Sequence, residues 1–304
     1  MKDFIVTVFP IVSLLILGVL FKRKSILSSE QIEGLKFVSM NLFLPVVLFR
    51  TFLLNDYSFS TLTYLFVLYP ICLVMLLCGY LLNKKIKADR SVPFLMTGFE
   101  VGMLGYALYG FLNHDDLSAL ALLDFGHSIF MFSTYFVLLN MSFGKGSVSD
   151  SVLSTIRSPF FIAFASGLLL GILEIGKALE TSVFMACLDS LYTIFSKALS
   201  ATILISLGYG IEVRKEVLAK SILLCLARIL LSVIGCLLAV HFFSLTIGMN
   251  RELLAAILVF FVLPPTYTVS AYVKEEQSMK LVSTMSSLYT ILSVLAYFVI
   301  AALF

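Results

Sequence analysis

Two segments of the chain place helix breakers and polar groups inside otherwise apolar sequence. A double proline removes two backbone donors and clashes with the preceding turn, and a glycine costs about 1 kcal/mol in a helix relative to alanine. Interrupted helices of this kind free carbonyls and half-helix ends that bind ions or substrates. The alternative is that the glycines allow close packing and the prolines kink a helix. The first segment contains Gly98, Glu100, Gly102 and Gly105, and the second contains Pro264, Pro265 and Thr266.

Four ionisable residues lie within apolar stretches, where a charge costs roughly 2.5–3.5 kcal/mol on insertion scales. Glu100 is either a proton or cation site or a structural partner for a basic residue. Arg228 either holds a substrate carboxylate in a bidentate pair or neutralises Glu100. Asp124 and His127 share a helix face, which suits either a proton relay or a satisfied buried pair. We predict no catalytic set, no metal and no cofactor, and a coupling H+ or Na+ is compatible with these residues.

The composition indicates that membrane helices position these residues. The chain has 304 residues, of which 60% are hydrophobic and 13% charged, and its mean hydropathy is +1.06. So few charged groups do not cover a water-soluble surface, and about 20 apolar residues cross a bilayer. We therefore predict an all-α membrane protein with ten transmembrane helices. They are predicted at 4–21, 35–54, 60–82, 92–112, 117–141, 159–175, 183–210, 219–243, 253–273 and 281–303. The seventh is long enough that we expect a separate short helix around Asp189 at its start.

The distribution of basic residues predicts the orientation in the membrane. Cytoplasmic loops carry an excess of Lys and Arg. With the N-terminus outside, 14 of the 21 Lys and Arg residues fall in cytoplasmic loops and four fall within the spans. The three that fall outside are Lys2, Lys177 and Arg251. We therefore expect a multi-pass protein of the plasma membrane with both termini outside.

A Gly/Ser-rich linker divides the chain almost at its middle. The division gives a first five-helix repeat at 1–141, a cytoplasmic linker at 142–158 and a second five-helix repeat at 159–304. Because five is odd, the two repeats have opposite orientations in the membrane, as in many secondary transporters. The two segments with helix breakers fall in the fourth helix of each repeat. Helix breakers in matching positions of two repeats point to a binding site near the membrane midplane.

Several motifs, in this order along the chain, resemble the auxin efflux carrier family. Ser28-Ser-Glu-Gln-Ile-Glu-Gly-Leu and Asn41-Leu-Phe-Leu-Pro-Val-Val-Leu-Phe49 resemble its first two spans. Gly98-Phe-Glu-Val-Gly-Met-Leu-Gly resembles its interrupted fourth span. Ala201-Thr-Ile-Leu-Ile-Ser-Leu-Gly208 resembles the seventh, and Leu263-Pro-Pro-Thr the ninth. The family often has asparagine and proline in the fourth span, near the positions of Glu100 and Ala107.

The resemblance implies a fold and a function. It implies ten spans in two inverted repeats, with a scaffold of spans one, two, six and seven and a transport unit in which spans four and nine cross. It also implies a secondary carrier, often of organic acids such as auxin, malonate or malate. A basic residue at Arg228 is similar to the family pattern as well.

Three classes of function remain to be compared. The first is a secondary transporter of a small organic solute, and the second is a membrane sensor that binds a ligand without transport. An intramembrane enzyme is disfavoured, because HExxH and GxSxG are absent. The net charge of +3, without a basic patch, argues against nucleic acid as a partner. The expected partners are a small-molecule substrate and the lipid bilayer, and a homodimer is compatible with the sequence.

The orientation can be tested by labelling single cysteines in a cysteine-free background. A cysteine at Ser147, in the linker, should react with an impermeant reagent from the cytoplasmic side, and one at Asp115 from the outside. Labelling of the Ser147 position from outside would reverse the orientation and remove the basis for the inverted repeat.

Overall fold

The computed structural model describes residues 2–55, 57, 61–86, 89–113, 116–143, 149, 153 and 156–304. In this part of the chain the regular structure is helical and no strand occurs. The helices of the first half are α1 (Lys2–Arg23), α2 (Ser29–Leu54), α3 (Thr61–Ile86), α4 (Val92–Met96), α5 (Tyr106–Leu112) and α6 (Ser118–Phe143). Those of the second half are α7 (Pro159–Ile172), α8 (Ile175–Ala178), α9 (Val183–Gly210), α10 (Leu218–Thr246), α11 (Arg251–Val262), α12 (Thr268–Tyr272) and α13 (Glu276–Leu303).

Within the described residues, seven helical segments are long and apolar enough to cross a membrane. They are Ser29–Leu54, Thr61–Ile86, Val92–Leu112, Ser118–Phe143, Val183–Gly210, Lys215–Thr246 and Glu276–Leu303. The expectation of an all-helical membrane protein is therefore confirmed. Helices also occupy the other predicted spans, at α1, α7 and α11–α12. The division at residues 141 and 159 stays a prediction, and linker residues 144–148 lie outside the described residues.

Local sequence explains where several helices begin. Ser28 forms a capping box with Gln31 at the start of α2, in which each side chain bonds the backbone N–H of the other residue. Ser158 and Asn250 cap α7 and α11 by accepting a backbone N–H bond three residues on. The prediction of a separate short helix around Asp189 is wrong, because α9 is one continuous helix of 28 residues. Serine and threonine side chains there bond carbonyls of the preceding turn, which is compatible with an unbroken helix.

The chain divides into two compact units, each assembled from distant parts of the sequence. Unit 1 comprises Met1–Phe59, Gly102–Ala121 and Ser154–Gly210, and so contains α1, α2, α5, α7, α8 and α9. Its helices come very close at glycines. A Cβ on Gly208 of α9 would lie 2.1 Å from the Leu15 carbonyl oxygen of α1, and one on Gly18 would lie 2.1 Å from that of Ile205. Small residues at such contacts let backbones approach in membrane helix pairs.

Unit 2 comprises Ser60–Val101, Leu122–Leu153 and Ile211–Phe304. It contains α3, α4, most of α6, and all helices from α10 to α13. Helix α10 packs against α3, α11 and α13 within this unit. Here too a glycine marks a close approach, because a Cβ on Gly126 of α6 would lie 2.3 Å from the Tyr64 carbonyl oxygen of α3. The two interrupted segments of the sequence meet in this unit.

Candidate binding site at two broken helices

The first break, residues 97–100, separates α4 from the helical turn at Val101–Gly105. Thr97 is extended, with φ −133° and ψ −176°. Gly98 follows at φ +69°, a left-handed conformation that a residue with a side chain rarely adopts. A Cβ at Gly98 would also lie 3.0 Å from the ring of Tyr135. Glycine at this position therefore has a conformational reason, and the break predicted in the fourth span is confirmed.

The second break, residues 263–267, separates α11 from α12. Leu263 is extended, with φ −62° and ψ 146°, as expected for a residue that precedes a proline. Pro264 and Pro265 have no N–H with which to continue the helix of α11. The chain returns to helix only at Thr268. The double proline thus ends a helix here. The alternative, in which the prolines only kink a continuous helix, does not describe this span.

The two breaks are joined by a pair of hydrogen bonds that both involve Glu100. The backbone N–H of Glu100 donates to the carbonyl of Pro264 over 3.0 Å. Its carboxylate oxygen Oε2 accepts the backbone N–H of Tyr267 over 2.6 Å. The residue is 6% exposed. Glu100 therefore uses main chain and side chain to hold the second break on either side of Pro265 and Thr266.

Arg228 of α10 donates hydrogen bonds to carbonyls at both breaks that have no partner within a helix. Its Nη1 donates to the carbonyls of Leu95 and Thr97, over 2.7 and 3.2 Å. Its Nη2 donates to the carbonyls of Gly98 and Leu263, over 2.8 and 3.4 Å. The side chain is 0% exposed. The planar guanidinium suits this role because it presents several donors in a fixed fork.

Two aromatic rings cover the guanidinium of Arg228. Its Cζ lies 4.9 Å from the ring centroid of Phe99 and 5.1 Å from that of Tyr289. Such contacts stabilise a cation when it is removed from water. Within the described residues, Nε of Arg228 is buried and has no hydrogen-bond partner. Sequence reasoning expected a substrate carboxylate or Glu100 as the partner of Arg228, and it did not anticipate carbonyls.

Asp124 and His127 lie together on α6 and reach the first break. His127 Nδ1 is 3.1 Å from Asp124 Oδ1, and the Nε2 atom accepts the backbone N–H of Phe99 over 3.1 Å. Because Nε2 is an acceptor, the proton of the neutral ring is on Nδ1 and is donated to Asp124. Ser128 also donates to Asp124 Oδ1, over 3.3 Å. The pair therefore fixes the main chain directly before Glu100.

The structure brings together seven of the nine predicted site residues within unit 2. Thr266 is 6% exposed, and its Oγ1 donates to that of Thr268 over 3.1 Å. Gly102 and Gly105 belong to unit 1, where a Cβ on Gly102 would make ordinary contact with Leu44. The seven predicted site residues in unit 2 are Glu100, Asp124, His127, Arg228, Pro264, Pro265 and Thr266. Their roles in binding stay predictions.

Sequence reasoning missed the backbone and aromatic groups of the site. The backbone N–H groups of Tyr267 and Phe99 donate to Glu100 and His127, which were predicted site residues. Every residue except proline has such an N–H, so the type of side chain does not identify the donors. Tyr289 is far along the chain in α13, and nothing in its local pattern signals contact with Arg228. Tyr267 lies two residues after the double proline, so its place beside the break could be read from the sequence.

A second pair of ionisable side chains lies within unit 1. Arg50 pairs with Asp189, with Nε to Oδ1 at 2.8 Å, and its guanidinium lies 4.5 Å from the ring centroid of Tyr192. Arg50 is half-buried in this contact, so the pair belongs to the ordinary ion pairs of a helix surface.

No family model matches the chain, and no curated protein matches it. The likeness to auxin efflux carriers therefore stays a prediction based on motifs. Among the described residues, no group of three or more His, Cys, Asp and Glu side chains is arranged to hold a metal ion.

Replacing Arg228 with lysine tests the clamp on the four carbonyls. A lysine ammonium is compact and cannot donate to four carbonyls in a plane, and each buried polar group left without a partner costs about 1–3 kcal/mol. We expect Arg228→Lys to lower the melting temperature of the purified protein clearly. Arg50→Lys is the matched control and should change stability by about 1 kcal/mol or less. Equal effects of the two substitutions would contradict the clamp.

Proposed function

We propose that this membrane protein is a secondary active transporter of a small organic solute, working by alternating access. The observation that carries the proposal is the meeting of two helix breaks through Glu100 and Arg228, both buried. Discontinuous helices with polar half-helix ends are the usual construction of binding sites in secondary transporters. An ionisable residue in a span is by default a functional-site hypothesis.

The composition of the two units supports the proposed ten-helix inverted repeat. Unit 1 gathers α1, α2, α7 and α9, which contain the first two predicted spans of each half. Unit 2 gathers α3 and α10, the third span of each half, and most of α6 with all of α13, the fifth. Four of the five corresponding pairs of spans thus belong to the same unit, as expected for a duplicated fold. The fourth span is the exception, because α4 lies in unit 2 and α5 in unit 1, whereas α11 and α12 both lie in unit 2. The division also parallels the scaffold and transport unit implied by the resemblance to auxin efflux carriers.

A small organic acid is the first substrate class to test. The resemblance favours such substrates, and the Nε donor of Arg228 is buried without a hydrogen-bond partner in the described residues. A buried donor of this kind needs an explanation, such as a water molecule or a ligand. Glu100 supplies the titratable or cation-binding group that coupling to H+ or Na+ requires. A plasma-membrane location with both termini outside completes the proposal.

Binding and flux experiments separate a transporter from a sensor. Purified protein would be screened by thermal shift with malonate, malate and indole acetate, with and without sodium and at several pH values. A ligand that binds the folded state raises the melting temperature through mass action. Any binder would then be tested for uptake into proteoliposomes under a pH or sodium gradient. Binding without flux under every gradient would favour the sensor and refute the transporter.

Restoring the ninth helix should remove transport but not folding. Pro264→Ala with Pro265→Ala permits helical hydrogen bonds across residues 263–267, which would withdraw the carbonyls now held there. We expect normal insertion and folding, and loss of ligand-induced stabilisation and uptake. Pro70→Ala is the matched control, because Pro70 lies inside the continuous helix α3. Unchanged uptake in the double variant would mean that the break has no part in transport.

Neutralising Glu100 should uncouple transport from the driving ion. Glu100→Gln keeps an oxygen that accepts the N–H of Tyr267 but removes titration and negative charge. We expect loss of pH- or sodium-driven accumulation in proteoliposomes, with substrate exchange partly retained, and partial coupling in Glu100→Asp. Glu252→Gln, at the exposed start of α11, is the control. An unaltered response to pH and sodium in Glu100→Gln would make Glu100 structural.

A further inference from the structure

The groups on its two ring nitrogens define the tautomer of the neutral His127 ring. Asp124 accepts from Nδ1, and the backbone N–H of Phe99 donates to Nε2. The ring of His127 also touches those of Phe99 and Phe260, with centroids 5.9 and 5.3 Å apart. It is 3% exposed. An imidazolium carries protons on both nitrogens, so a second proton would replace the acceptor on Nε2 with a donor.

The consequence of that proton falls on the first break. With Nε2 protonated, two N–H groups face each other at the position of the present 3.1 Å hydrogen bond between His127 and Phe99. Phe99 then loses its acceptor, while Asp124 holds the charged ring more strongly on the other side. Phe99 precedes Glu100, which carries both bonds to the second break. A proton on His127 would thus act directly on the segment that joins the two broken helices.

The charged groups around His127 are few and come from several elements. The nearest carboxylate is that of Asp124, on the same helix. The first break contributes Glu100, and α10 contributes Arg228. The guanidinium of Arg228 lies over the ring of Phe99, the residue that donates to Nε2 of His127. Arg251 and Glu252 of α11 precede Phe260 by two helical turns or more, about 12 Å along the axis. The titratable groups of α3, which packs against α6 at Gly126, are Tyr64, Tyr69, Cys72, Cys78, Tyr80, Lys84 and Lys85. Tyr135 is a further titratable group on α6 itself.

We propose that Asp124 and His127 form a proton-operated latch that positions the first break in the transport site. The neutral ring holds the break by accepting the N–H of Phe99, and a proton taken from water onto Nε2 releases it. His127 is thus a positioning residue that acts through Phe99 and Glu100, in place of a relay that passes protons along. As an account of regulation, the latch rests on the proposed function, but its protonation and release can be measured without a substrate.

The protonation step can be followed at a single histidine. The sequence has three histidines, so His114→Gln with His241→Gln leaves His127 alone for 15N-histidine NMR of the full chain. At high pH the 15N shifts should show a neutral ring with the proton on Nδ1, and acidification should give the imidazolium. A proton on Nε2 at high pH, or a ring that stays neutral throughout, would overturn the proposal.

The release step can be followed by hydrogen exchange of the first break in the same protein. Loss of the hydrogen bond from Phe99 should raise the amide exchange rate of the peptide that covers residues 97–104 about tenfold, after correction for the chemical effect of pH. This increase should have the same pH midpoint as the 15N transition. His127→Gln is the matched variant, because its side-chain oxygen accepts the same N–H and does not titrate. Its exchange should stay protected at both pH values. Imidazolium formation with unchanged exchange would refute the latch.

Asp124 provides a second variant that distinguishes the latch from simple packing. Asp124→Asn keeps an acceptor for Nδ1 but removes the carboxylate charge beside the ring, so the midpoints of both transitions should differ from those of the parent protein. An unshifted midpoint would exclude Asp124 from the latch. In proteoliposomes, His127→Gln should flatten the pH dependence of uptake. Absence of uptake in the wild type would refute the proposed function, while NMR and exchange still decide on the latch.

Discussion

The need to satisfy backbone groups at two broken helices governs the arrangement of unit 2. A helix break releases carbonyls and N–H groups that a continuous helix would pair internally, and an apolar surrounding supplies no water to replace those partners. Three side chains meet this need, each from a different element. Arg228 donates hydrogen bonds to four carbonyls. His127 accepts the N–H of Phe99, and Glu100 accepts the N–H of Tyr267.

The same requirement explains why charged residues occur so deep in an apolar protein. A buried guanidinium is costly unless it is surrounded by acceptors. At Arg228 the acceptors are carbonyl dipoles, and the faces of Phe99 and Tyr289 add to them. The bonds that hold Glu100 and Asp124 go to a backbone N–H, a histidine ring and a serine hydroxyl. The site therefore distributes its charges over polar groups of the breaks, and no single ion pair carries the whole arrangement.

The sequence predicted the breaks well because glycine and proline act locally. The double proline at Pro264 and Pro265 ends a helix by its own covalent structure, and Gly98 takes up a positive φ that few residues adopt. The ranges of the long helices were likewise readable from apolar length. The partners of Arg228 were not readable, because backbone carbonyls look the same at every residue. The continuity of α9 was also missed, since its 28 residues exceed the length that one straight span requires.

On the proposed function, these contacts imply that a solute binds by exchange with bonds inside the protein. The N–H of Tyr267 is already occupied by the Glu100 carboxylate, so a solute carboxylate can reach that donor only when Glu100 withdraws. A protonated Glu100 is a weaker acceptor than the carboxylate, and protonation also removes its repulsion of an anion. Proton binding and anion binding then favour each other, which is the reciprocity that coupled transport requires. The carboxylate in this break is thereby compatible with an anionic substrate, because it has to be neutralised at the step in which the substrate is bound.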